Sequence, residues 1–433
     1  MIHLEEPGAA VDDKEREITL REVEARVEAL DGIDLTHLLP GTRITVVTLA
    51  AGADANEAVS RLRLLDDVEW VEADAEVTPD RSAGATRRTL DGAASDWSLQ
   101  RLRLPEVYSA YTVGDCRVAV CHIDSGANLS DATRDQYFYN PGEYAGALGI
   151  DDDGNGVVDD FFGANFIAGN NNSMTSDLSG HGTATARALT RTAPRVTLMP
   201  CKALTEAAVV PFSVAIQCIE WCKTNFENMR AHGGGQVTGI YAASWGGSVS
   251  SLALSEAMSA ADALGATRAL FVASAGNVPA ETHFPASSGL ANVLSVTHVD
   301  RRDRVTGNAG RWIDLAVPAE SSSEAAAVAA GVAGLLVSVA PNLTPEELRS
   351  ALARAAAPLP RTSGASFGRL DAAASFERLR GQGRLARPAG APDRQPCVPS
   401  EVWAPAWPSL PAGSRPCVGG GGGRACWASF PAS

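Results

Sequence analysis

Five apolar runs between residues 117 and 299 lack the in–out alternation of a strand that faces water on one side. They are Arg117–Ile123, Val196–Leu204, Gly239–Ser244, Arg268–Ala273 and Asn292–Val299. A strand that is apolar on both sides is buried on both faces, as in a parallel sheet covered by helices. Helical spacing marks the stretches between some of them: Val214–Arg230, closed by Gly233-Gly-Gly, and Ser251–Leu264. This alternation predicts an α/β fold of three layers around a mostly parallel sheet. Ligands of such sheets bind beyond the carboxyl ends of the strands. Asp124 and Asn277 both fall just past a predicted strand end. A last apolar run, Ala325–Ala340, is rich in Ala and Gly and too short for a bilayer, so it reads as a buried helix and no membrane span is expected.

The flanks follow other patterns. Residues 1–41 are charged and irregular, with a helical stretch around Glu15–Leu30. Residues 42–78 read strand, helix, strand. Arg43–Leu49 is β-branched, Asp54 caps a helix carrying Val59, Leu62 and Leu65, and Val68–Val77 alternates like a half-buried strand. A small α+β unit over 42–80 follows from this. A polar linker over 81–95 contains Arg87-Arg88. The main unit spans 96–379. Beyond it, residues 380–433 are rich in Pro, Gly, Trp and Ala, with Gly419–Gly423 unbroken, and cannot bury enough surface to offset ordering entropy.

Composition narrows the field. The 433-residue chain is 45% hydrophobic and 20% charged, with a net charge of -15. That balance excludes a nucleic-acid binder built on basic patches and suits a protein that binds cations. Cys121 and Cys201 sit in apolar strand-like runs, where buried free thiols are the default expectation. Cys218 and Cys222 share one helix face, and disulfide pairing is not readable from spacing. No Cys-x-x-Cys pairs point to zinc. The opening Met-Ile-His-Leu-Glu-Glu-Pro lacks the pattern of a signal peptide.

The chemistry lies in motifs whose order is informative. Asp124 ends Val118-Ala-Val-Cys-His-Ile-Asp-Ser-Gly126, His181 lies in Ser179-Gly-His-Gly-Thr183, and Ser323 opens the apolar helix within Ser321-Ser-Ser-Glu-Ala-Ala-Ala327. A serine hydroxyl becomes a nucleophile when an imidazole takes its proton, and a carboxylate holds that imidazole in the right tautomer. Asn277 ends Val272-Ala-Ser-Ala-Gly-Asn277, and Ala243-Ser-Trp-Gly-Gly247 offers glycines that let a peptide approach the main chain. Between the Asp and His motifs, Gly149–Asp160 sets Asp151, Asp153 and Asn155 at alternating positions, with Val157 and Asp160 beyond, in the manner of a calcium loop.

The order Asp, His, Ser, with these flanking residues, resembles the subtilisin-like serine peptidases, the subtilases. The resemblance implies a subtilisin-like fold over 96–379, with Asp124, His181 and Ser323 as catalytic triad and Asn277 as oxyanion donor. It implies that Ser244, Trp245, Gly246, Ser274, Ala275 and Gly276 line the substrate site, and that polypeptides are the substrates. It further implies structural Ca2+ on Asp151, Asp153, Asn155, Val157 and Asp160. The 42–80 unit looks like the family's propeptide, an intramolecular inhibitor, with Arg87-Arg88 available for cleavage. Family members are commonly secreted, although this chain shows no signal peptide. Two departures support a second reading, an inactive homologue that binds peptides or serves as a scaffold. Glu324 replaces the family's Met, where its carboxylate is expected to oppose the oxyanion. Only Ala319 and Glu320 separate Pro318 from the serine motif, a shortening expected to displace Ser323.

Overall fold

The apolar runs pair side by side. A computed structural model describes residues 1–4, 13–39, 41–80, 96–128, 134–167, 177–205, 209–231, 238–263, 268–360 and 365–385. The N-terminal unit contains β1 (Ile2–Leu4), α1 (Asp13–Glu28), β2 (Ile33–Leu38), β3 (Ile44–Leu49), α2 (Ala55–Leu62), β4 (Val68–Val71) and β5 (Glu76–Pro79). The main unit begins with α3 (Asp96–Arg101), α4 (Leu104–Ala110), β6 (Ala119–Asp124), α5 (Pro141–Ala145), β7 (Ala164–Asn165) and α6 (His181–Thr192). It continues with β8 (Thr197–Lys202), β9 (Val210–Pro211), α7 (Phe212–Ala231), β10 (Thr238–Ala243), β11 (Trp245–Gly246), α8 (Leu252–Ala263) and β12 (Arg268–Ser274). β13 (Val293–Val299), β14 (Leu315–Pro318), α9 (Ser322–Val339), α10 (Pro345–Arg354), β15 (Gly368–Arg369) and α11 (Ala372–Gly381) complete it.

The central sheet has eight strands in the order β15-β14-β13-β12-β10-β6-β8-β7, each adjacent pair parallel. From β6 the chain first lays down β7 and β8 on one side and later crosses to the other side through β10, so the strand order reverses beside β6. That reversal opens a crevice at the strand ends. One core cluster joins the sheet to α6, α9, α10 and α11; a second joins its other face to α7 and α8. Among the described residues, α9 alone is long and apolar enough to cross a membrane by length and composition, and it is buried inside the protein core. Arg187 lies on the half-buried side of α6, so its bulk leaves the face formed by Ala186 and Leu189 free to pack.

Three expectations are corrected. First, residues before 42 are not irregular: β1 and β2 join the antiparallel sheet β2-β3-β1-β4, with β1 between β3 and β4, so the small unit starts near the N-terminus. Second, Val68–Val77 is not one strand but β4 and β5, because Glu72 and Asp74 between them turn toward the main unit. The Glu72 carboxylate accepts from Ser251 Oγ and the Leu252 and Ala253 amides at the start of α8. Asp74 accepts from the Ser213 amide and hydroxyl at the start of α7. Two carboxylates thus satisfy the free N–H groups and positive dipole ends of two helices. Third, Cys121 and Cys201 are not free thiols: Cys121 is bonded to Cys222 and Cys201 to Cys218, tying β6 and β8 to α7. At the other end, α11 extends to Gly381, slightly past the expected boundary; the linker 81–95 and most of the tail lie outside the described residues.

Candidate active site

β6 delivers Asp124 to the carboxyl edge of the sheet, fully buried. His181 is the first residue of α6. The Gly-His-Gly context has a steric cause: a Cβ at residue 182 would lie 2.0 Å from the Gly126 carbonyl oxygen, so only glycine lets α6 approach the segment after Asp124. Buried Asp177 braces this corner, accepting from the Ser125 hydroxyl, the Gly180 and Thr183 amides and the Thr183 hydroxyl. α9 brings Ser323, with Ser321 as N-cap accepting from the Glu324 amide.

These elements bring the three residues into one line. His181 Nδ1 lies 2.7 Å from Asp124 Oδ1, and His181 Nε2 lies 3.0 Å from Ser323 Oγ. With Nδ1–H donating to the carboxylate, Nε2 is free to accept the serine proton. Burial pushes the Asp124 carboxyl up, but the charge and hydrogen bond of His181 outweigh it and hold the carboxyl below its usual range. Thr185 donates to Asp124 Oδ2 or to nearby carbonyls, and its Oγ1 is 2.8 Å from His122 Nε2. His122 is buried, and burial lowers its pKa, so it packs as a neutral neighbour of the site.

Neither departure has the effect expected of it. The short Ala319–Glu320 connection still delivers Ser323 to the imidazole. The Glu324 carboxylate, expected to oppose an oxyanion, turns back and accepts from the Glu320 amide at 2.8 Å, closing the helix start. Burial raises the Glu324 carboxyl to about 7 despite that hydrogen bond.

A peptide segment of the chain itself lies in the cleft. β5 pairs antiparallel with β11 on one side and β9 on the other. Trp245 and Gly246 stand opposite Pro79 and Thr78, and the Ser244 carbonyl accepts from the Asp80 amide at 3.2 Å. The Asp80 carbonyl oxygen is 2.6 Å from Ser323 Oγ and accepts from Asn277 Nδ2 at 2.7 Å. The Asn277 amide is held the right way round because its Oδ1 accepts from the Ser322 amide at 2.8 Å. The Ser274 hydroxyl donates to the Asp80 carboxylate, Ala275 is buried with its carbonyl accepting from Asn308, and Gly276 packs against the His283 ring. The dibasic Arg87-Arg88 lies outside the described residues; the carbonyl that faces Ser323 belongs to Asp80.

The acidic loop is arranged differently from the expectation. Carboxylate oxygens of Glu143, Asp153 and Asp160 lie within 4.8 Å of one another. Glu143, on α5, is outside the spacing pattern that pointed to the loop. Asp151 instead accepts from the Asn155 and Gly156 amides, Asn155 Nδ2 donates to Asp153 and Asp160, and the Val157 side chain packs in the core. Burial drives the Asp160 carboxyl up to about 8, against hydrogen bonds from Trp221 and Asn155. Three carboxylates packed this closely could hold a metal ion.

Comparison with known proteins comes to the same place. The Subtilase family model matches residues 115–383, more than half of the chain. Subtilisin-like protease 1 of Plasmodium vivax is 31% identical over 138 residues, 29% of this chain and 22% of that protein. The proteins of the same name from Plasmodium berghei (strain Anka) and Plasmodium falciparum (isolate 3D7) are 28% and 31% identical over 138 residues, each 29% of this chain and 23% and 20% of their own length. The match thus spans about a fifth of these relatives.

Proposed function

The chain belongs to the subtilase family of serine peptidases, and from that premise we propose that it is an endopeptidase working through an Asp124–His181–Ser323 triad and an acyl-enzyme intermediate. The observation that carries this reading is the alignment of Asp124, His181, Ser323 Oγ and a peptide carbonyl within hydrogen-bonding distances. Ser323 Oγ attacks the carbonyl carbon while its proton passes to His181 Nε2, and Asp124 stabilises the imidazolium. The carbonyl oxygen, now negative, is held by Asn277 Nδ2 and by the Ser323 amide at the positive end of α9. The C–N bond then breaks, the imidazolium gives its proton to the leaving amine, and the acyl group remains as an ester on Ser323. Water, deprotonated by the same imidazole, hydrolyses the ester and restores the hydroxyl.

The N-terminal unit acts as propeptide and inhibitor in this reading, and the Asp80–Arg81 bond is its cleavage site. Glu143, Asp153 and Asp160 would hold calcium, which would neutralise their mutual repulsion and fasten α5 to the loop before β7. The disulfides suit an oxidising compartment, in keeping with a secreted enzyme. A fluorophosphonate probe tests the nucleophile. It is expected to label Ser323 but not Ser321 or Ser322, and His181→Ala is expected to abolish labelling. Equal labelling in the His181→Ala variant would remove the triad from the account.

A further inference from the structure

We infer that the pocket beside Ser323 selects an acidic side chain, aspartate foremost, at the residue whose carbonyl is attacked, and that His283 is the residue that makes this choice. The inference rests on the serine-peptidase reading and adds its substrate class.

The occupant supplies the first observation. The Asp80 side chain is only 7% exposed, yet its carboxylate is fully partnered. Oδ1 lies 3.0 Å from His283 Nε2 and Oδ2 lies 3.1 Å from the same atom, while the Ser274 hydroxyl donates to Oδ2. A carboxylate taken out of water is tolerated when donors replace its hydration.

The second observation concerns how the donor is mounted. A Cβ at residue 246 would lie 2.4 Å from His283 Nε2, and one at residue 276 would lie 3.1 Å from its Nδ1. The ring therefore fits between two glycines, one on each wall of the cleft. Its own amide donates to Ser287 Oγ at 3.0 Å, fixing the loop that carries it. A second imidazole, buried His298, feels the Asp80 charge, but burial holds it down at about 4, so it stays neutral.

Selection follows from what other side chains would leave behind. An apolar or cationic side chain at this position cannot accept from buried Ser274 or half-buried His283, which leaves both donors unpaired. Asparagine keeps the shape but loses the charge and one acceptor oxygen. A site built around specific polar groups discriminates strongly against ligands lacking the complementary groups.

The test uses the full chain. Self-cleavage after residue 80 is followed by intact mass in the wild type, Asp80→Asn and Asp80→Lys. Hydrolysis of quenched peptides differing only in Asp, Asn, Phe or Lys before the scissile bond is followed in parallel. Fluorophosphonate labelling of Ser323 is read on the same samples. The expected result is labelling of each chain in proportion to its self-cleavage, with the Asp peptide preferred over Asn about 10- to 100-fold in kcat/KM and over Lys by more. Self-cleavage should slow in the same order. In His283→Gln the Asp-to-Asn ratio should collapse toward 1, a comparison internal to that variant and independent of its absolute rate. If the wild type is labelled but shows no Asp preference, or keeps its preference in His283→Gln, the acidic-pocket inference is overturned while the peptidase reading stands. If Ser323 is not labelled and no peptide is cut, both fail together.

Discussion

Glu324 stands next to Ser323, and what matters is where its carboxylate points. Bound to the Glu320 amide, it serves the start of α9 rather than opposing the oxyanion. Its cost is one of stability. The folded carboxyl is raised to about 7 from an ordinary 4.5 by burial, so between those values the folded state keeps a proton that the unfolded state has lost. Stability therefore falls as pH rises through that window, is unaffected by this group below it, and carries the full penalty above it. Glu324→Gln should remove a pH-dependent loss on the order of 1–3 kcal/mol. Comparing melting of variant and wild type at pH 5 and pH 8 checks this: the variant should gain relative to wild type at pH 8. An unchanged difference would show that the group is not held neutral. At this scale the residues that the structure brings together, Asp124, His181, Ser323 and Asn277, were legible as candidates, because each lies in a short motif whose neighbours are also constrained. His283 and Glu143 were not. Their roles depend on contacts with Asp80 and Asp160, distant in sequence, although His283 directly precedes the Phe284-Pro-Ala-Ser287 stretch.

Among the elements, β5 and the turn before it tie the N-terminal unit to the main unit, beside the apolar contacts of Met1, Leu39 and Ile44. Glu72 and Asp74 cap α8 and α7, and each such contact contributes about 1 kcal/mol. The double substitution Glu72→Ala/Asp74→Ala should weaken the hold of the N-terminal unit on the rest by roughly 10- to 30-fold. The measurement is inhibition of wild-type peptidase by the added N-terminal fragment, with and without the substitutions; equal inhibition constants would mean that the caps contribute nothing. The parallel strands and α9 were legible because burial on both faces leaves an unbroken apolar run. β1 and β2 were not. β1 is three residues long, and β2, Ile33-Asp-Leu-Thr-His-Leu38, carries exposed polar positions that match a charged, irregular segment as well as an outer strand. The β4–β5 break was hidden for a related reason: Glu72-Ala-Asp-Ala75 continues the alternation, and only the helix ends it meets reveal the turn.

For the molecule as a whole, the reversal of strand order beside β6 opens the crevice, and β5 fills it. The sequence showed the ingredients of this arrangement but not its register, since nothing in residues 76–80 says which carbonyl will meet Ser323. Antiparallel pairing with β11 and β9 sets that register, and it puts Asp80 there rather than a linker arginine. The acidic loop acts at the same scale by fastening the segment between β6 and β7. With one calcium site at about 100 times its dissociation constant, the fold should gain about 2.7 kcal/mol. Melting with calcium against chelator should show the shift, and Asp153→Ala or Glu143→Gln should abolish it; equal midpoints in the wild type would remove calcium from the account.

Intact-mass analysis and N-terminal sequencing of the purified full chain, wild type beside Ser323→Ala, test the central claim most directly. A serine peptidase with the Asp80 carbonyl seated at its nucleophile should break the Asp80–Arg81 bond in the wild type, giving a new N-terminus at Arg81, and leave Ser323→Ala whole. Cleavage at the same bond in Ser323→Ala, or a labelled wild type that cuts itself only elsewhere, would contradict it.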